Sequence, residues 1–200
     1  MLIDLLNELE SLGFYRYTPP EQIQIAKEEA LQTHYIYGEP DGELVGRAFI
    51  ADEEDLAEGA VDDFIDGLRP FLERQGAIIT RVAQTIRTGD GYIVEVNGRP
   101  FVMYSEEELE SDRDLWDVTA RRAVAMVNVL LHEVDSTERL YRLWRANDAE
   151  AIFLTQEQYE AIRGSWDIKP FNMPSEYTRM PPTWANIKGV MSGDSAGRRA

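Results

Sequence analysis

Of the 200 residues, 37 are Asp or Glu, and two stretches concentrate them: DEEDLAEGAVDDFID at 52–66 and SEEELESDRDLWD at 105–117. Carboxylates at this density offer three chemistries: coordination of a hard cation, acid–base catalysis by a matched pair, and attraction of a cationic partner. Neither stretch has the alternating oxygen ligands, central glycine and terminal Glu of an EF-hand loop, so specific calcium binding is not indicated. Two carboxylates suffice for glycosidase chemistry, but no spacing singles out a pair among so many. Electrostatic capture is therefore the leading reading and carboxylate-based hydrolysis its rival. The candidate partner-binding residues are Asp52, Glu53, Glu54, Asp55, Asp62 and Asp63 in the first stretch, with Glu106, Glu107, Glu108, Glu110 and Asp112 in the second. If folding brings the stretches together, their carboxylates form one surface that speeds the approach of a basic protein. The plainer use of the same acids is to solvate a connection, protect a sheet edge and start helices favourably.

Other site chemistries find no support. There is no cysteine, which removes disulfides, thiolate nucleophiles and thiolate-ligated metals. His132-Glu133 begins like the H-E-x-x-H metalloprotease motif, but position 136 is Ser. A histidine near a helix C-terminus meets the carbonyl end of the dipole, and that structural role is assigned to His132. No G-x-S-x-G, G-x-x-x-x-G-K-[ST] or G-x-G-x-x-G occurs, and TGDGY reads as a hairpin turn. No metal or cofactor is expected.

The formal net charge is -17. Residues 1–160 carry 34 acids against 14 Lys or Arg, whereas residues 161–200 carry three acids and six bases. Such a body repels phosphate backbones and anionic lipid, so neither direct nucleic-acid binding nor membrane association is expected. The opening MLIDLLNELE has Asp4, Glu8 and Glu10 where a signal peptide needs basic residues, and a cytoplasmic location is expected.

The elements that must position the acids follow from periodicity. Leu2, Ile3, Leu5, Leu6, Leu9 and Leu12 mark an amphipathic helix ended by Gly13. In TPPEQIQIAKEEALQ, Thr18 and Glu21 suggest a capping box for a second helix to about Gln32. HYIYGEPDGELVGRAFIAD reads as two short strands around a turn, and the helix that follows is expected to break near Gly67 and Pro70. Asp90-Gly91 and Asn97-Gly98, flanked by β-branched and aromatic residues, predict a three-stranded antiparallel meander over 77–105 covered on one side. Trp116, Ala120, Ala123, Val127, Leu130 and Val134 form a helix stripe widened by Val124 and Leu131. Residues 136–155 favour a hairpin around Asn147-Asp148 over a helix, and Thr155 with Gln158 caps a short helix closed by Gly164.

The fold class expected is α+β: a mainly antiparallel sheet containing the meander, helices packed largely on one face, and an extended C-terminal strap. Residues 1–165 form a single α+β domain, 166–190 a Pro and aromatic strap, and 191–200 a frayed tail. In size, acidity and lack of cysteine the chain resembles inhibitors and immunity-type proteins that mask the basic active site of a nuclease toxin. That resemblance implies a non-catalytic protein whose partner is basic. The remaining rival is an assembly subunit whose 166–190 strap reaches a second copy in a homo-oligomer.

Overall fold

The computed structural model describes residues 1–40, 45–87, 91–111, 114–145 and 148–175. Asp112, the Asp41-Gly42, Asp90 and Asn147 turn residues, the strap beyond Ser175 and the tail lie outside them.

The protein is α+β with antiparallel sheets. Helices α1 (Leu2–Ser11) and α2 (Ile23–Thr33) precede strand β1 (Ala48–Ile50) and helices α3 (Glu53–Glu58) and α4 (Val61–Arg74). The meander follows as β2 (Val82–Arg87), β3 (Gly91–Val96) and β4 (Arg99–Tyr104). Then come α5 (Glu106–Leu109), α6 (Leu115–Glu133), the hairpin β5 (Glu138–Arg145) and β6 (Asp148–Thr155), and α7 (Gln156–Gly164). The strands divide between two sheets, β1-β6-β5 and β2-β3-β4, each antiparallel throughout.

The β1-β6-β5 sheet is buried on both faces. Ala151, Ile152, Phe153 and Leu154 of β6 are all buried, which is why AIFL is a continuous apolar run rather than an alternating one. Leu140, Ala151 and Phe153 face the core shared with α4, α6 and the meander. Tyr141, Leu143, Ile152 and Leu154 face the core shared with α1, α2 and α7. On the first side Phe71 of α4 stacks on Phe153 with ring centroids 3.9 Å apart. The two longer helices, α4 and α6, thus lie on one side of this sheet.

Arg47 fastens the layers together. Its side chain is fully buried, yet Nε donates to the Phe14 carbonyl (2.6 Å), Nη1 to the Phe153 carbonyl (2.9 Å) and Glu138 Oε2 (2.8 Å), and Nη2 to the Gly13 carbonyl (3.2 Å). A buried guanidinium is tolerated because it is both paired and hydrogen-bonded.

The meander forms as the turn dipeptides predict, and Tyr92, Val94, Val96, Phe101 and Met103 bury its inner face. A register shift opposite Tyr92 and Ile93 lets the consecutive Met103 and Tyr104 both be buried. The hairpin expected in 136–155 forms over 138–155, and the Thr155–Gln158 capping box also holds. Helix α1 ends as a Schellman turn, with Phe14 N–H on the Leu9 carbonyl and Gly13 N–H on that of Glu10, both 2.9 Å.

Several local expectations are corrected. Tyr35–Tyr37 form no strand, although Ile36 and Tyr37 are buried; irregular backbone delivers them to the second core. The Thr18 hydroxyl turns to the Val45 carbonyl (3.5 Å) instead of capping, and Pro20–Gln22 form a 3-10 turn ahead of α2. Helix α4 runs unbroken through Gly67 and Pro70. The carbonyl that Pro70 deprives of a donor belongs to Asp66, an exposed residue. The break falls instead at Gly59, left-handed with φ 116°, which ends α3. Trp116 and Val134, expected in the α6 stripe, are exposed: Trp116 sits in its first turn and Val134 just past its end.

The chain after α7 returns to the body: Ile168 is buried, Tyr37 Oη donates to the Asn172 carbonyl (2.7 Å), and Ser175 exchanges backbone hydrogen bonds with Arg142. Trp166 is nonetheless fully exposed and Phe171 half-exposed. Among the described residues no helix is long and apolar enough to cross a membrane.

Candidate functional site

Four helices begin in the acidic stretches, and each beginning uses acids. Asp52 Oδ1 accepts from the N–H groups of Glu54 (2.9 Å) and Asp55 (3.1 Å), capping α3. Asp114 Oδ1 does the same for Trp116 (3.1 Å) and Asp117 (3.3 Å) at α6. Ser105 and Glu108 form a reciprocal capping box on α5, and Asp62 and Asp63 occupy the first turn of α4. Carboxylates there satisfy orphan N–H groups and oppose the positive end of the helix dipole.

The fold joins the stretches at two places. Helix α3 packs on α6, and between them Arg142, reaching in from β5, pairs with Glu53 and with Asp117 (3.4 Å). Burial pushes the Glu53 carboxyl above its ordinary range. Arg142 opposes the shift, while Asp117, Asp114 and Asp52 reinforce it. The ion pair does not win because burial outweighs it, and Arg142 also pairs with Asp117. The second junction is the start of β3, where Tyr92 Oη accepts from Val61 N–H at the head of α4 (3.3 Å). There Gly91, with φ 80°, lies against the Tyr104 carbonyl and Ser105, at the head of α5.

The predicted residues therefore separate by role. Glu54, Asp55, Asp63, Glu107 and Glu110 are exposed, with Asp52, Asp62 and Glu106 half-exposed. Glu108 is directed inward instead: Arg122 grips its carboxylate with two bonds of 2.7 and 2.8 Å and also reaches the Met103 carbonyl (3.1 Å). Glu53 is likewise held by Arg142, which leaves 14% of its side chain exposed. Arg142, Asp114 and Asp117 were not among the predicted residues. The signal for Arg142 is its parity with Leu140 in β5, which places it on the face that packs toward α6.

Beside this acidic surface, β1, α3 and α4 enclose a cleft of about 200 Å³. Phe49, Leu56 and Phe64 give it an apolar floor, and Asp52, Asp55 and Asp63 stand around it. Among the described residues no Lys or Arg pairs with any of these three acids. On the other side of the β1-β6-β5 sheet an open groove of about 790 Å³ between α1 and α7 carries Asp4, Glu8, Glu157, Glu160 and Asp167 beside exposed Trp166. Among the described residues no group of three His, Asp or Glu is placed to hold a metal. Compared with known families, curated proteins and solved structures, the chain matches none.

Proposed function

We propose that the protein is a non-catalytic binding protein whose acidic face captures a basic protein partner, in the manner of an inhibitor or immunity-type protein that masks a toxin active site. The supporting observation is that acids remote in sequence meet: Glu53 lies within electrostatic reach of Asp114 and Asp117. Of the acids in the two stretches, Glu54, Asp55, Asp63, Glu107 and Glu110 are exposed. A field of one sign from several helix ends raises the rate at which a cationic surface docks. A reducing, cytoplasmic setting belongs to the same reading, since the chain has no cysteine to pair. Nucleic acid is not the ligand proposed, because like charges repel.

The test is a low-salt pull-down from the native host, eluted with salt, with the wild type beside a Glu54→Lys/Asp55→Lys/Glu106→Lys/Glu107→Lys variant. Glu53 and Glu108 are spared because their partners are Arg142 and Arg122 in the fold. Recovery of a basic protein whose association is slowed at least tenfold in the variant, with dissociation little changed, supports the reading. Recovery of no basic protein, or equal association by both proteins, contradicts it.

A further inference from the structure

We infer that the cleft between β1, α3 and α4 receives one long cationic side chain of the basic partner. This deepens the proposed function and rests on it. The cleft has somewhere to put an aliphatic stem. Leu56 and Phe64 are buried beneath it and Phe49 is half-buried. Arginine and lysine side chains are amphipathic, with methylenes that cover apolar surface while the charged head remains at the mouth. Asp55 and Asp63 are exposed there, and no cation pairs with them among the described residues. The capping bonds of Asp52 use Oδ1, so Oδ2 remains available to a ligand. An apolar ligand would leave these carboxylates facing its surface without a counter-charge, and an anion would be repelled.

Gly67 supplies a second observation. It lies inside α4, where glycine is the least favourable residue after proline. Its backbone needs no positive φ, and a Cβ built on it meets nothing within 4 Å. Neither conformation nor packing within the described residues calls for glycine there. Gly67 does line the cleft, and a bulky side chain at that position would occupy it.

The test uses acetyl-arginine amide as the probe and its neutral isostere acetyl-citrulline amide as the control, with amide chemical shifts of the full chain as readout. The arginine compound is expected to saturate, moving residues 52, 55, 63 and 67 together, and the citrulline compound to bind at least tenfold more weakly. Gly67→Leu is expected to weaken arginine binding at least tenfold while unfolding no more easily than wild type, because leucine favours a helix. Gly67→Ala, which improves propensity without filling the cleft, should keep the affinity. Equal binding of arginine and citrulline, unsaturable shifts spread over the acidic surface, or undiminished binding by Gly67→Leu would overturn the inference. Glu106 and Glu107 do not line the cleft. A Glu106→Lys/Glu107→Lys variant that no longer slows partner association, beside an intact arginine titration, would defeat the capture reading alone.

Discussion

At the residue scale, the acids and bases of this protein fall into those that hold the fold and those left to solvent. Arg47 and Glu138 belong to the first kind, at 0% and 1% side-chain exposure. Removing one member leaves the other buried and uncompensated, so Arg47→Met should cost about 3–5 kcal/mol in urea denaturation. Arg47→Met/Glu138→Leu should recover much of that loss, because the desolvation cost goes with the second charge. Glu53 gives a prediction in pH. Its carboxyl is raised above the ordinary value, chiefly by burial, so the native state holds the proton more tightly than the unfolded chain. Stability from this group is then lost as pH rises through the folded value and is fully regained below the unfolded one. Glu53→Gln should raise the urea midpoint at neutral pH, and the gain should vanish below the usual carboxylate range. A lower midpoint at neutral pH would show that the Arg142 pair outweighs burial. Of these roles, sequence disclosed only that acids begin helices. Glu108 stands at the capping-box spacing from Ser105, but its grip by Arg122, which approaches from another helix, is not legible in the string.

At the element scale, what is periodic or carries a turn dipeptide was legible: α1, the meander, the α6 stripe, the 138–155 hairpin and the Thr155 cap. What failed depends on contacts distant in sequence. Tyr35–Tyr37 have strand composition but pair with no strand among the described residues, and Thr18 has cap chemistry but meets Val45. Pro70 and Gly67 read as breakers, yet α4 absorbs both because Phe64, Ile65, Leu68, Phe71 and Leu72 are all buried on its packed face. Gly67→Ala should therefore raise stability by roughly 0.5–1 kcal/mol, the propensity difference in a helix interior. Gly91 is the opposite case. With φ at 80° and the Tyr104 carbonyl and Ser105 where a Cβ would go, Gly91→Ala should lower the thermal midpoint by several degrees and disturb α5 first, since Ser105 is its cap.

At the scale of the whole molecule, the charge imbalance was legible but its distribution was not. Whether residues 52–66 and 105–117 adjoin depends on α3 packing against α6 and on α4 and α5 meeting the start of β3. Neither packing is encoded locally. The fold also carries a second acidic surface, the α1–α7 groove with Trp166, which draws on residues outside both stretches. The most direct measurement is a titration of the isotope-labelled chain with a six-residue arginine peptide at low ionic strength, where surface electrostatics are least screened. The account predicts chemical-shift changes concentrated on residues 52–63 and 106–117, abolished by added salt. Changes of equal size around Asp4, Glu8, Glu157 and Glu160, or scattered over every exposed carboxylate, would contradict it.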